Sequence, residues 1–302
     1  MADSRIDEMG GFRFGKVVPS PTPAIRFSRM NQPRIPSPTR ALHLGAAAWF
    51  IAATLGQWAF VLFILLFFGG HSLSGNLAGL NDKPHVTGYV SGDTFGNFQF
   101  IAHALMGGIV TFAGTWQLLP ALRRRWPRLH RWNGRLFLGI SLFGALSGLY
   151  LTWIRGSRLG TGSNVSITIN GLLILVFATL AWRSALQRDF PRHRQHALRT
   201  FLLVNGVWFL RIGIMLAGLV LAPLGIEIDY QGMVFVGVSF ASWALPLAML
   251  ELYLRAERSQ RVVPRYAMAT TLWLLALVTL AGGAAAVAFM WLPVLRAGGA
   301  PS

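Results

Sequence analysis

Residues 98–153 read FQFIAHALMGGIVTFAGTWQLLPALRRRWPRLHRWNGRLFLGISLFGALSGLYLTW. Two apolar blocks, Phe98 to Leu119 and Leu136 to Trp153, flank a connection with six arginines between Arg123 and Arg135. Each block approaches the length of about 20 helical residues that a hydrocarbon core of about 30 Å requires. Lipid offers a bare backbone no hydrogen-bond partner, so a spanning segment is a helix or part of a closed barrel, and these continuous runs lack the alternation of barrel strands.

The same unit repeats along the 302-residue chain, in further blocks at approximately Ala46 to Phe68, Ile167 to Trp182, Leu198 to Leu221, Met233 to Leu254 and Ala267 to Leu292. The expected fold is all-α, a polytopic transmembrane helical bundle of about seven spans. Composition agrees: 54% of residues are hydrophobic and 12% charged, against roughly a quarter charged in soluble domains.

The net charge of +17 raises the question of nucleic acid, and the position of the charges answers it. Of 27 Lys and Arg, 22 lie before the first span or in the connections 123–135, 183–199 and 255–265. Lys83, Arg155, Arg158 and Arg296 lie on the opposite side. This is the positive-inside asymmetry, which puts the N-terminus in the cytoplasm and the C-terminus outside. It makes no nucleic-acid partner necessary; the partners it implies are the lipid bilayer and its anionic lipid headgroups.

Residues 1–43, rich in Pro, Ser and Arg, read as a disordered basic cytoplasmic leader, 44–295 as the transmembrane domain and 296–302 as an external tail. The late, long first apolar block is a retained span rather than a signal peptide. The external stretch 69–97 reads as a solvated connector, and no internal repeat supports an inverted-repeat transporter. With no cysteine, disulfides, thiolate nucleophiles and cysteine-ligated clusters are excluded. No metalloprotease, nucleophile-elbow or phosphate-loop motif is present, and no catalytic residue is assigned.

Polar residues inside the spans mark the candidate sites. His103, Gly107, Val110, Gly114 and Gln117 share one face of the second span, where glycines admit a neighbouring helix or a flat cofactor. His103 lies near the external end; Gln117, about 21 Å further by helical rise, stands where a second haem-ligating histidine would fall. Arg211 is the one basic residue in the middle of a span, with Asn205 and Trp208 before it, and requires a carboxylate, carbonyls or an anionic ligand. At the cytoplasmic level His130 and Arg135 start the third span, and His193, His196 and Arg199 the fifth. These histidines suit haem b, and the arginines its propionates, or an oxyanion headgroup.

The stretches HALMGGIVTFAGTWQLLPALRRRWPRLHRWNGRLF (103–137) and RDFPRHRQHALRTFLLVNGVWFLR (188–211) resemble bacterial predicted membrane proteins grouped as domain of unknown function 2306, over about residues 98–215. The resemblance implies a polytopic inner-membrane protein without an assigned reaction, and it draws attention to His103, His130, His193 and Arg211. His196 departs from the pattern, since relatives often carry an aromatic residue there. Taken together, the residues fit a membrane redox protein carrying haem b on His103, His130, His193 or His196. The alternatives are a binding or transport module for an anionic or amphipathic ligand at Arg211 and His103, and an accessory subunit packing through Gly144 and Gly148.

Overall fold

A computed structural model describes residues 36–82, 88–156 and 159–297. The leader up to residue 35, Lys83, His85, Arg158 and the tail beyond residue 297 lie outside the described residues. Among the described residues there are seven helices long and apolar enough to cross a membrane. These are α1 (Pro38–Ser74), α2 (Thr94–Gln117), α4 (Pro127–Trp153), α5 (Gly160–Leu186), α7 (Gly206–Leu224), α8 (Met233–Arg258) and α9 (Val262–Ala297). Two further helices, α3 (Pro120–Arg125) and α6 (Phe190–Val204), lie on the basic side. The expected all-helical transmembrane bundle is the fold.

The helix ends follow local chemistry. Proline stands in the first turn of α1, α3, α4 and α6, where its missing N–H costs nothing. Ser37, Asp93 and Asp189 cap α1, α2 and α6 by accepting from the backbone N–H of Arg40, Gly96 and Arg192. The Ser37 cap and Pro38 explain why α1 begins several residues before its apolar block.

Contacts between spans run round the bundle in the order α1, α2, α4, α5, α8, α7, α9 and back to α1. Helix α6 touches α2, α5 and α8, and so fills the middle on the basic side. Phe137, Phe201 and Leu254 form the core there, whereas Phe60, Phe63, Trp208 and Trp291 form an aromatic core among α1, α7 and α9. Leu172, Val176, Leu274 and Leu277 are more than half exposed, as lipid-facing side chains are.

One expectation changes: the fifth apolar block is broken at Asn205 into α6 and α7 rather than being one helix. Of the two readings of the α2 glycines, Gly114 takes the neighbouring helices: a methyl group there would come 2.9 Å from Phe201 Cδ2 and 3.0 Å from Phe137 Cε2. Rings of the inner core occupy the notch that a flat cofactor would need at that level.

Gly114→Leu is therefore expected to destabilise the protein by about 1–3 kcal/mol through overpacking. A methyl group on Gly107 meets nothing within 4 Å, so Gly107→Ala is expected not to destabilise the protein. Unfolding in mixed detergent checks both.

Candidate functional site

The Trp208 indole of α7 reaches α1 at Gly56, which leaves room for it: a methyl there would lie 2.8 Å from Trp208 Cζ2. One turn along α7, the Arg211 guanidinium carbon lies 4.8 Å from the centre of the Phe60 ring. The Phe60 ring in turn stacks on Trp291 of α9 at 5.4 Å. Residues 53, 57 and 60 share a helix face, so Gln57 belongs to the buried stripe that carries Ala53 and Phe60, at a height between Trp208 and Arg211.

The polar groups of this region are under-used. Arg211 donates one hydrogen bond, from Nη1 to the carbonyl of Val207 one turn back on its own helix at 2.8 Å. It has no ion pair among the described residues, where the carboxylates within the spans, Glu251 and Glu257, are held by Arg199 and Arg194. Gln57 is fully buried, and neither its Oε1 nor its Nε2 has a partner; the buried Trp208 Nε1–H has none either. Buried polar atoms in native proteins are nearly always satisfied, so Gln57 of α1 and Trp208 of α7, the latter one turn from Arg211, make this region a candidate site, as an unpaired buried polar atom also singles out His103, Trp116, Asn205 and Trp291.

The chain breaks at Asn205, between α6 and α7. Asn205 Nδ2 donates to the Phe201 carbonyl at 2.8 Å, and Asn170 Nδ2 of α5 donates to the Leu203 carbonyl at 3.2 Å. A methyl group on Gly206 would stand 3.0 Å from Asn170 Nδ2. Two amides and a glycine thus serve the interrupted backbone, as buried polar side chains do in broken transmembrane helices.

The histidines fall into separate places. His103 points at α4, its Cε1 3.2 Å from where a Gly148 methyl would be, with Nδ1 buried and unpartnered. No contact joins it to Arg211, which faces α1. On the basic side the Gln117 amide nitrogen bonds the His130 carbonyl at 3.1 Å and lies 3.4 Å from His130 Nε2, and Asn133 donates to Gln117 Oε1 at 2.9 Å. Gln117 thereby ties α2 to α4. His193 Nδ1 lies 2.9 Å from the Ala181 carbonyl and the ring is within electrostatic reach of His130.

His196 stacks on Phe177 at 5.9 Å, and Arg199 covers the same ring while pairing bidentately with Glu251 at 2.7 and 3.1 Å. Burial, then the charges of Arg199 and Arg192, hold the His196 imidazole below the usual histidine range. Arg135 lies on the surface, its guanidinium 5.1 Å from the Trp132 ring centre.

One network escaped the sequence reading. The Arg155 side chain is 5% exposed, bonds Asp93 Oδ2 at 3.1 Å, Asn97 Oδ1 at 2.6 Å and the Gly88 carbonyl at 2.8 Å, and lies over Phe100. Asn97 exchanges two hydrogen bonds with the Val90 backbone, and Asn81 bonds Gly88 and Tyr89. The described part of the external connection is thus pinned to the ends of α2 and α4, more than a solvated connector needs. The cluster of Asn and Asp around 81–97 was the available signal, since such side chains commonly bond nearby backbone.

Arg155→Met is expected to cost about 3 kcal/mol, the low end for breaking a buried pair, because Asp93 retains partial access to water; thermal unfolding and amide exchange at Gly88 to Val90 check it. Because His196 resists protonation in the fold while the unfolded chain accepts a proton near pH 6.5, stability should fall as pH drops below about 6.5. His196→Phe should lessen that fall, measured by melting at about pH 7.5 and about pH 5.5.

No curated protein and no solved structure is significantly similar to the chain. The family described as "Predicted membrane protein (DUF2306)" matches residues 100–254, from the first turns of α2 to near the end of α8. That match covers half of the chain and carries His103, His130, His193, Arg199 and Arg211 together: the protein is a multi-pass membrane protein of the DUF2306 family.

Proposed function

We propose that the protein is a binding or transport module of the bacterial inner membrane whose ligand is an anionic amphipathic molecule held at Arg211. The supporting observation is a guanidinium without a carboxylate partner among the described residues: a cation in mid-span, costing at least about 2.5 kcal/mol to insert, with one backbone carbonyl and an aromatic face in contact and Tyr230 within electrostatic reach. The Gln57 amide of α1 and the Trp208 indole N–H of α7, both buried without a partner, are further donors on the two helices that carry Phe60 and Arg211. A donor-rich, carboxylate-free cluster takes an oxyanion, which guanidinium binds bidentately. The apolar walls of α1, α7 and α9 take a hydrocarbon tail. His103 has no part in this site, because it faces α4.

The membrane redox reading retains one geometric support. With Nδ1–H donated to Ala181, His193 presents Nε2, the arrangement in which a second partner orients a metal-ligating imidazole, and His130 is its neighbour. Haem b on this pair would give a stoichiometric Soret band that sharpens on dithionite reduction and disappears in His193→Ala. A colourless, folded protein reconstituted with haem would remove that reading.

For the Arg211 site, dodecyl phosphate is expected to raise the melting temperature and dodecanol to leave it unchanged. At a hundredfold excess over Kd, binding stabilises by about 2.7 kcal/mol. Arg211→Leu should insert normally and lose the response. An equal response in the variant would refute the site.

A further inference from the structure

On the basic side, where α2 ends and α4 begins, lies a groove of about 620 Å³ lined by Trp116, Arg125, Trp126, Pro127, Arg128 and Leu129. We infer that this groove is a discrete binding site for one anionic glycerophospholipid, independent of the Arg211 site.

Three observations define the occupant. The first is charge. Arg123, Arg124, Arg125, Arg128 and Arg131 crowd nine residues, and none forms an ion pair among the described residues; the ion pairs on this side belong to Arg192, Arg194 and Arg199. Arg123, Arg124 and Arg125 lie in α3 and Arg128 and Arg131 at the start of α4, and Trp126 between the two helices is 58% exposed. A cluster of cations without counter-ions at the mouth of a groove takes an anion.

The second is the floor. Trp116, Trp126, Pro127 and Leu129 make the lining predominantly apolar. A soluble phosphate would use the arginine rim and leave that floor wet, whereas a glycerolipid uses both. The Trp116 Nε1–H, buried without a partner, is a donor matched to an ester carbonyl.

The third is depth. The groove sits at the junction of two spans with their connection, the level at which tryptophan and arginine meet lipid headgroups. Leu119 and Pro120 turn the chain from α2 into α3, so acyl chains can descend along the exposed faces of α2 and α4, where Phe112 and Leu136 are 44% and 50% exposed. General attraction of basic loops to the leaflet would be shared with the 255–265 connection; this groove adds an apolar floor beneath its arginines.

The test is native mass spectrometry of the full chain, delipidated and then incubated with phosphatidylglycerol, phosphatidylethanolamine or glycerol phosphate. Wild type should retain one phosphatidylglycerol in preference to phosphatidylethanolamine. R125Q/R128Q should lower that retention about thirtyfold, from the attraction of two arginines near a surface. R258Q/R261Q, an equal change of charge in the other basic connection, should match wild type. Equal losses in both double variants would show diffuse attraction, and no loss in either would show that the groove is not a lipid site. Either result overturns the proposal, as would retention of glycerol phosphate as strongly as the whole lipid.

Discussion

Hydrocarbon supplies neither hydrogen bonds nor counter-ions, and every feature of this protein follows from that constraint. The backbone satisfies itself in helices, and where a helix breaks, at Asn205, two side-chain amides reach the interrupted carbonyls. Cations gather on one side of the membrane or find partners: Arg199 takes Glu251, Arg194 takes Glu257 and Arg155 takes Asp93. Arg211 is the departure, a mid-span cation that meets a carbonyl of its own helix, an aromatic face and the field of Tyr230, and no carboxylate among the described residues. That departure carries the functional reading.

The site also lies at a seam in the chain. The family match runs from residue 100 to 254 and so omits α1 and α9, which pack against each other more extensively than any other pair. Arg211 and Trp208 belong to the matched region; Gly56, Gln57, Phe60 and Trp291 lie outside it. Arg211 and Trp208 of α7 are therefore packed against aromatic residues of helices that lie outside the family match.

The spans and their number were legible in the sequence because lipid imposes one length and one composition on every crossing. Arg211 was legible for the same reason, being a charge where none is expected. The rest depended on pairing in space. Gln57 reads as one polar residue in an apolar block, and nothing in the sequence shows that it is fully buried without a hydrogen-bond partner. The α2 glycines announced close approach without saying to what; Phe137 and Phe201 fill the Gly114 notch. Arg155 read as one of the few cations on the minority side, because its partners lie some sixty residues earlier in the chain. The Asn205 break was hidden inside a continuous apolar run, since asparagine followed by glycine interrupts a helix without lowering its hydropathy enough to show.

Because the chain contains no cysteine, the central claim can be tested with one introduced thiol. Met215 stands one turn beyond Arg211 on the same face of α7. In Met215→Cys, an anionic methanethiosulfonate should react faster than a cationic one of similar size, and Arg211→Leu added to that background should abolish the preference. Equal rates for the two reagents with Arg211 present would mean that its charge is already neutralised or sealed from any anion, and the site assigned to it would not exist.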